Sequence, residues 1–66
     1  MVDMSAIDAR ILKVLVEHNC FLTTSEISRL AKVAWQTADD YLSKFYGRGW
    51  LSKRTVGGWV YWKANL

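Results

Sequence analysis

The chain has little of what a disulfide framework, a metal centre or a catalytic site is built from. Its 66 residues hold one cysteine, Cys20, and one histidine, His18. A lone cysteine makes no internal disulfide, and one His with one Cys falls short of the ligand set of a zinc site. No metal and no cofactor are expected, and the lack of disulfides fits the interior of a cell, the cytoplasm of a prokaryote or of a virus-infected host. No apolar run approaches the roughly 20 residues of a membrane span, so no membrane partner is expected. No charged-then-apolar leader opens the sequence, and no secretory signal is expected. Proline is absent and glycine is limited to Gly47, Gly49, Gly57 and Gly58. Those glycines are spaced as turns, not as a phosphate cradle. The titratable groups of an enzyme are too few and too scattered to converge, so no enzymatic activity is expected.

Acidic residues are missing from one part of the chain. Residues 1–33 carry Arg10, Lys13, Arg29 and Lys32 against Asp3, Asp8, Glu17 and Glu26, a neutral balance. Residues 34–66 carry Lys44, Arg48, Lys53, Arg54 and Lys63 against Asp39 and Asp40 alone, which accounts for the whole net charge of +3. A basic last third on a neutral body suits either a phosphate-facing surface or a solvated basic hairpin.

Aromatic residues, by contrast, are abundant. Four Trp, three Tyr and two Phe stand among the 66 residues. A core of this size rarely supplies more than about 3–5 kcal/mol without a disulfide or metal. Aromatic side chains, burying roughly 150–250 Å² each, can offset that shortage or exceed what the core holds.

The patterning predicts an α+β, mostly helical arrangement in one domain over 1–66. A first helix over about 5–18 opens at Ser5, with Asp8 three residues on, and places Ile7, Ile11, Val14 and Leu15 on one stripe. Asn19 suits a left-handed cap, His18 a favourable charge at the helix C-terminus, and Cys20 a small buried hydrophobe. Residues 20–23 read as either a one-bridge strand or an extended linker. Thr23 and Glu26 form a capping box for a second helix over about 24–32, with Ile27, Leu30 and Ala31 as its buried stripe. A third helix over about 35–46 puts Ala38, Tyr41, Leu42 and Phe45 on its core face, with Trp35 on the shoulder of that face. A hairpin over about 50–63 follows, with residues 56–58 as its turn.

The stretch Thr23-Thr24-Ser25-Glu26-Ile27 through Leu30-Ala31, then Val33, Thr37-Ala38, Tyr41-Leu42, Gly49-Trp50-Leu51 and Gly58-Trp59-Val60-Tyr61-Trp62, resembles the winged helix-turn-helix family of DNA-binding domains. The likeness is to the small regulators of ArsR and MarR type, without the thiolate-rich metal-sensing motif. It covers about residues 5–64. The resemblance implies three helices with a two-stranded β-hairpin wing, duplex DNA as partner, the third helix in the major groove and the wing on the backbone.

On a helical wheel Gln36, Asp40 and Ser43 fall about 145–175° from the core face, and Thr37, Asp39 and Lys44 flank them. The resemblance makes Gln36, Thr37, Asp40, Ser43 and Lys44 the candidate recognition-helix contacts. Gln36 is the best base reader, since its amide matches the adenine edge. Asp39 and Asp40 depart from the basic residues such helices usually carry. They fit better as partners of the helix dipole, or, for Asp40, of Lys44 one turn on. Arg48, Lys53, Arg54, Thr55 and Lys63 are the candidate wing contacts. Alternation along the last strand turns Val60, Trp62 and Ala64 to the core and Trp59, Tyr61 and Lys63 outward. Exposed Trp59 and Tyr61 can stack on bases or form a homodimer patch.

Two readings follow. The first is a small transcriptional regulator that binds duplex DNA, alone or as a homodimer on half-sites about one helical turn apart. The second is a winged-helix module for protein–protein contact, or a subunit of a larger nucleoprotein complex. An apolar surface patch including Trp59 and Tyr61 would favour the second.

Overall fold

The computed structural model describes residues 6–65. In chain order they form α1 (Ala6–His18), β1 (Leu22–Thr23), α2 (Thr24–Ala31), α3 (Trp35–Gly47), β2 (Leu51–Val56) and β3 (Trp59–Ala64). The expected cap at Ser5 lies outside the described residues.

Local chemistry closes α1 and α2. In α1 Ile11, Val14 and Leu15 are buried, the spacing of one helical face. His18 Nδ1 lies 2.9 Å from the Val14 carbonyl oxygen. A carbonyl only accepts, so Nδ1 carries the proton and donates. Asn19 follows at φ 42, and its N–H donates to the Leu15 carbonyl at 3.2 Å. The capping box of α2 is complete: the Glu26 N–H donates to Thr23 Oγ1 at 3.2 Å, and the Thr23 N–H donates to Glu26 Oε1 at 3.0 Å. Such a cap contributes about 1 kcal/mol. Lys32 ends α2 in the left-handed conformation at φ 57, and the Val33 N–H reaches back to the Ser28 carbonyl at 3.0 Å. Arg10 of α1 donates through Nη2 to the Lys32 carbonyl at 2.9 Å. The turn that sets the angle between α2 and α3 is thereby tied to the first helix.

The sheet is antiparallel in the order β1-β3-β2. Gly57 and Gly58 form a two-residue turn at φ 56 and 83. Positive φ at both positions is what a tight hairpin of matching twist requires, and glycine adopts it without strain. Val56, expected in the turn, is the last residue of β2 and pairs with Trp59. Residues 22 and 23, open between strand and linker in the sequence, pair with Trp62 and Tyr61 and add a third strand to the two-stranded wing.

Trp62 joins the layers. It is 2% exposed, and its Nε1 donates to the buried hydroxyl of Thr24 at 2.8 Å. The Tyr46 ring of α3 meets it edge-on, 6.0 Å between centroids. The wing is thus locked to the start of α2 and to α3 by one side chain.

Two burial expectations are corrected. Leu30 is 46% exposed. The buried face of α2 is Thr24, Ile27, Ser28 and Ala31, about 110° from Leu30 on the wheel. The hydroxyls of Thr24 and Ser28 can be buried because both are satisfied, Thr24 by Trp62 and Ser28 by the Ser25 carbonyl at 2.8 Å. Cys20 is exposed. It follows the left-handed turn at Asn19 and precedes β1, so it lies on the connector outside the core.

Candidate nucleic-acid interface

A cleft of about 460 Å³ opens between α3 and the wing. Trp35, Asp39 and Ser43 line it from α3. Their i, i+4, i+8 spacing makes them one stripe along the helix. Thr24 and Ser25 enter from the start of α2, and Lys53, Gly58, Trp59, Val60 and Trp62 from the wing. The geometry follows from the packing. Ala38, Leu42 and Phe45 are buried against the core, so the opposite side of α3 faces outward beside the hairpin.

Trp35 corrects the expectation that it packs on the core. It is 50% exposed and lines the cleft. The wheel angle was a poor guide because Trp35 is the first residue of α3. A side chain there leans toward the N-terminus and projects past the end of the core. Its position along the axis, not its angle, was the usable signal.

The acids of α3 are also placed differently. The first turn of α3 holds no acidic residue, and the dipole effect fades within that turn. Asp39 lines the cleft instead. Asp40 does not rely on Lys44: its Oδ1 accepts a hydrogen bond from Gln36 Nε2 at 3.1 Å. The Lys44 ammonium lies 5.0 Å from the centroid of the Tyr41 ring, three residues back. Gln36 and Asp40 form a second exposed stripe beside the one facing the cleft. Of the remaining recognition candidates, Ser43 is exposed on the cleft stripe and Thr37 is half-buried.

Pairing register divides the basic wing residues. Residues directly opposite in an antiparallel ladder share a face. Lys53 is opposite Trp62 and Thr55 opposite Val60, so both belong to the face that looks toward α3. The Lys53 ammonium rests 5.4 Å from the Trp62 ring centroid and 5.6 Å from that of Tyr46. Arg54 is opposite Tyr61 and Lys63 opposite Ser52, on the outer face. There Arg54 and Lys63 lie 5.3 and 5.8 Å from the centroid of the Phe21 ring. Arg48 sits at the hairpin base, 5.2 Å over Trp50, which stacks on Phe45 at 5.5 Å. The wing candidates therefore form two surfaces and a base, not one patch. Of the two outward aromatics, Trp59 is 60% exposed and Tyr61 is half-buried.

Among the described residues, no group of three or more His, Cys, Asp or Glu side chains could hold a metal ion. No helix among them is long and apolar enough to cross a membrane.

No protein-family model matches the chain, and no curated protein sequence matches it either. Solved structures do. The antimony-specific transcriptional repressor AntR superposes with a TM-score of 0.84 at 14% identity, over 94% of this chain and 55% of the repressor. Human N-acetylserotonin methyltransferase in complex with SAM superposes with a TM-score of 0.78 at 15% identity, over 91% of this chain and 17% of the enzyme. The chain spans about half the length of the repressor and a small part of the methyltransferase. At these identities the likeness is one of fold. The chain has the winged helix-turn-helix fold: three helices, a three-stranded antiparallel sheet and a hairpin wing.

Proposed function

We propose that the chain is a duplex-DNA-binding regulator without enzymatic activity, with α3 in the major groove and the wing against the phosphate backbone. The observation that carries this reading is the cleft between α3 and the wing, where Lys53 faces the exposed stripe of α3. The absence of acidic residues after Asp40 supports it, because the wing meets phosphates without opposing charge. The likeness to a transcriptional repressor agrees.

In this reading the two stripes of α3 divide the work. One amide proton of Gln36 is engaged by Asp40, which leaves the second amide proton, the Gln36 oxygen and the second Asp40 oxygen for a base edge. The free proton and the oxygen of Gln36 match N7 and the N6 amine of adenine, and the Asp40 oxygen can accept from a neighbouring base amine. Ser43, Thr37, Lys44 and the wing residues Lys53 and Thr55 hold the backbone. Arg48 serves from the hairpin base.

Lys53→Ala and Gln36→Ala separate the two roles. Lys53→Ala is expected to weaken binding to every duplex alike and to reduce the salt slope by about one. Gln36→Ala is expected to leave random duplex almost unchanged and to lose about 1–3 kcal/mol of preference on a selected sequence. A fluorescence-anisotropy titration reads both. Unchanged binding by Lys53→Ala would remove the wing from the interface.

The protein-contact reading has one observation in its favour. Val56 and Trp59 are paired on the outer face and are 55% and 60% exposed. Sedimentation of the wild type at rising concentration tests for a homodimer through that pair.

A further inference from the structure

The outer face of the wing sheet has a composition that duplex binding through the cleft does not use. Phe21, Arg54, Val56 and Tyr61 border a shallow hollow of about 270 Å³ there. Register adds Lys63 to the same face, and Trp59 at the hairpin tip, where it also borders the cleft. Two cations, Arg54 and Lys63, share the one Phe21 ring, at 5.3 and 5.8 Å. No acidic residue lies between Asp40 and the chain end, so no carboxylate of the hairpin neutralises them. Trp59 and Tyr61, two residues apart on β3, stand about 7 Å from each other along the strand. The face thus offers rings in a row, flanked by guanidinium and ammonium.

We infer that this outer face is a second nucleic-acid site, for single-stranded DNA or RNA. Bases stack on Trp59 and Tyr61 while phosphates meet Arg54 and Lys63. A duplex would engage the cations alone, since its base faces are already stacked on one another. An unpaired strand supplies a π-face and a negative charge in every unit, which matches both halves of the surface. The site lies on the opposite side of the sheet from Lys53 and meets the cleft only at Trp59, on the hairpin tip.

Binding of the whole chain to a twelve-residue oligo-dT and a twelve-residue oligo-rU, with a random duplex in parallel, tests this. Trp59→Ala and Tyr61→Ala are each expected to weaken single-strand binding about 5- to 150-fold, the range of one lost stacking contact. Arg54→Ala with Lys63→Ala is expected to lower the single-strand salt slope by about 1.4. Lys53→Ala is expected to leave the oligomers bound and to weaken the duplex. Equal loss with dT and rU assigns the site to bases and phosphates, and loss with one alone assigns it to that sugar. Failure of the wild type to bind either oligomer overturns the inference, whatever the duplex does. So does oligomer binding that Lys53→Ala abolishes and Tyr61→Ala spares, which would put the strand in the cleft. Self-association abolished by Trp59→Ala, without oligomer binding, would give the face to a second copy of the chain and overturn it as well. Failure of the duplex arm alone counts against the cleft reading and leaves this one standing.

Discussion

Trp62→Ala is expected to leave the chain unfolded at 25 °C. The side chain is 2% exposed and is among the largest fully buried ones. Truncating a buried Trp costs about 3–5 kcal/mol in lost transfer energy and residual cavity. A core of this size supplies about the same amount in total. The substitution also takes the donor away from the buried Thr24 hydroxyl and the edge contact away from Tyr46. Thr24→Val is the milder companion. It keeps the volume and leaves the indole N–H without its acceptor, at about 1–3 kcal/mol. Each kcal/mol shifts the melting midpoint of a domain this small by about 4–8 °C. Far-UV circular dichroism on heating reads both. A cooperative melt of Trp62→Ala near the wild-type midpoint would mean that the wing and the helices do not depend on this side chain for their union.

Replacing both acids of α3, with Asp39→Asn and Asp40→Asn together, is expected to tighten binding to random duplex about 30-fold at low salt. A carboxylate about 4 Å from a phosphate in water is repelled by about 1 kcal/mol, and about 2 kcal/mol for the pair is a factor of roughly 30. Asp39 lines the cleft and Asp40 is exposed on the adjacent stripe, so both come close to the phosphates that flank the groove if α3 enters it. The gain fades at high salt, where the repulsion is screened. Asn at position 40 still accepts from Gln36, so the helix surface keeps its shape. Unchanged or weaker binding by the double variant would place α3 away from the phosphates.

How far the sequence could be read depended on whether the deciding contact is local. The capping box at Thr23 and Glu26, the left-handed cap at Asn19 and the Gly57-Gly58 turn involve neighbours within three or four residues. Their chemistry is complete in the sequence, and the fold class follows from their order. The core face of β3 was equally clear, since alternation alone turns Trp62 and Ala64 inward. What escaped needed tertiary information. Leu30 lost its place to Thr24 and Ser28 because their hydroxyls find partners, one of them 38 residues away in Trp62. Trp35 projects into the cleft because the core ends before the first turn of α3 does.

The wing shows how one residue of register redistributes a site. With residues 56–58 read as the turn, the faces of β2 cannot be assigned. A two-residue turn pairs Val56 with Trp59, and from that Lys53 must oppose Trp62 and Arg54 must oppose Tyr61. A slip of one residue exchanges the two faces. The split of the basic residues between the cleft and the outer face was therefore present in the glycine pair, once both glycines are required to hold positive φ.

The most direct test of duplex binding through the cleft and wing is the salt dependence of affinity for a random duplex of about 20–25 base pairs, a length on which nearly two turns of groove are offered. Three cationic phosphate contacts, from Lys44, Arg48 and Lys53, give a slope of log K against log salt of about −2.7. Between 50 and 200 mM salt the affinity is then expected to fall about 40-fold. Micromolar binding at low salt with that slope is the predicted result. No binding at low salt, or binding indifferent to salt, would contradict it and move the function to a protein partner.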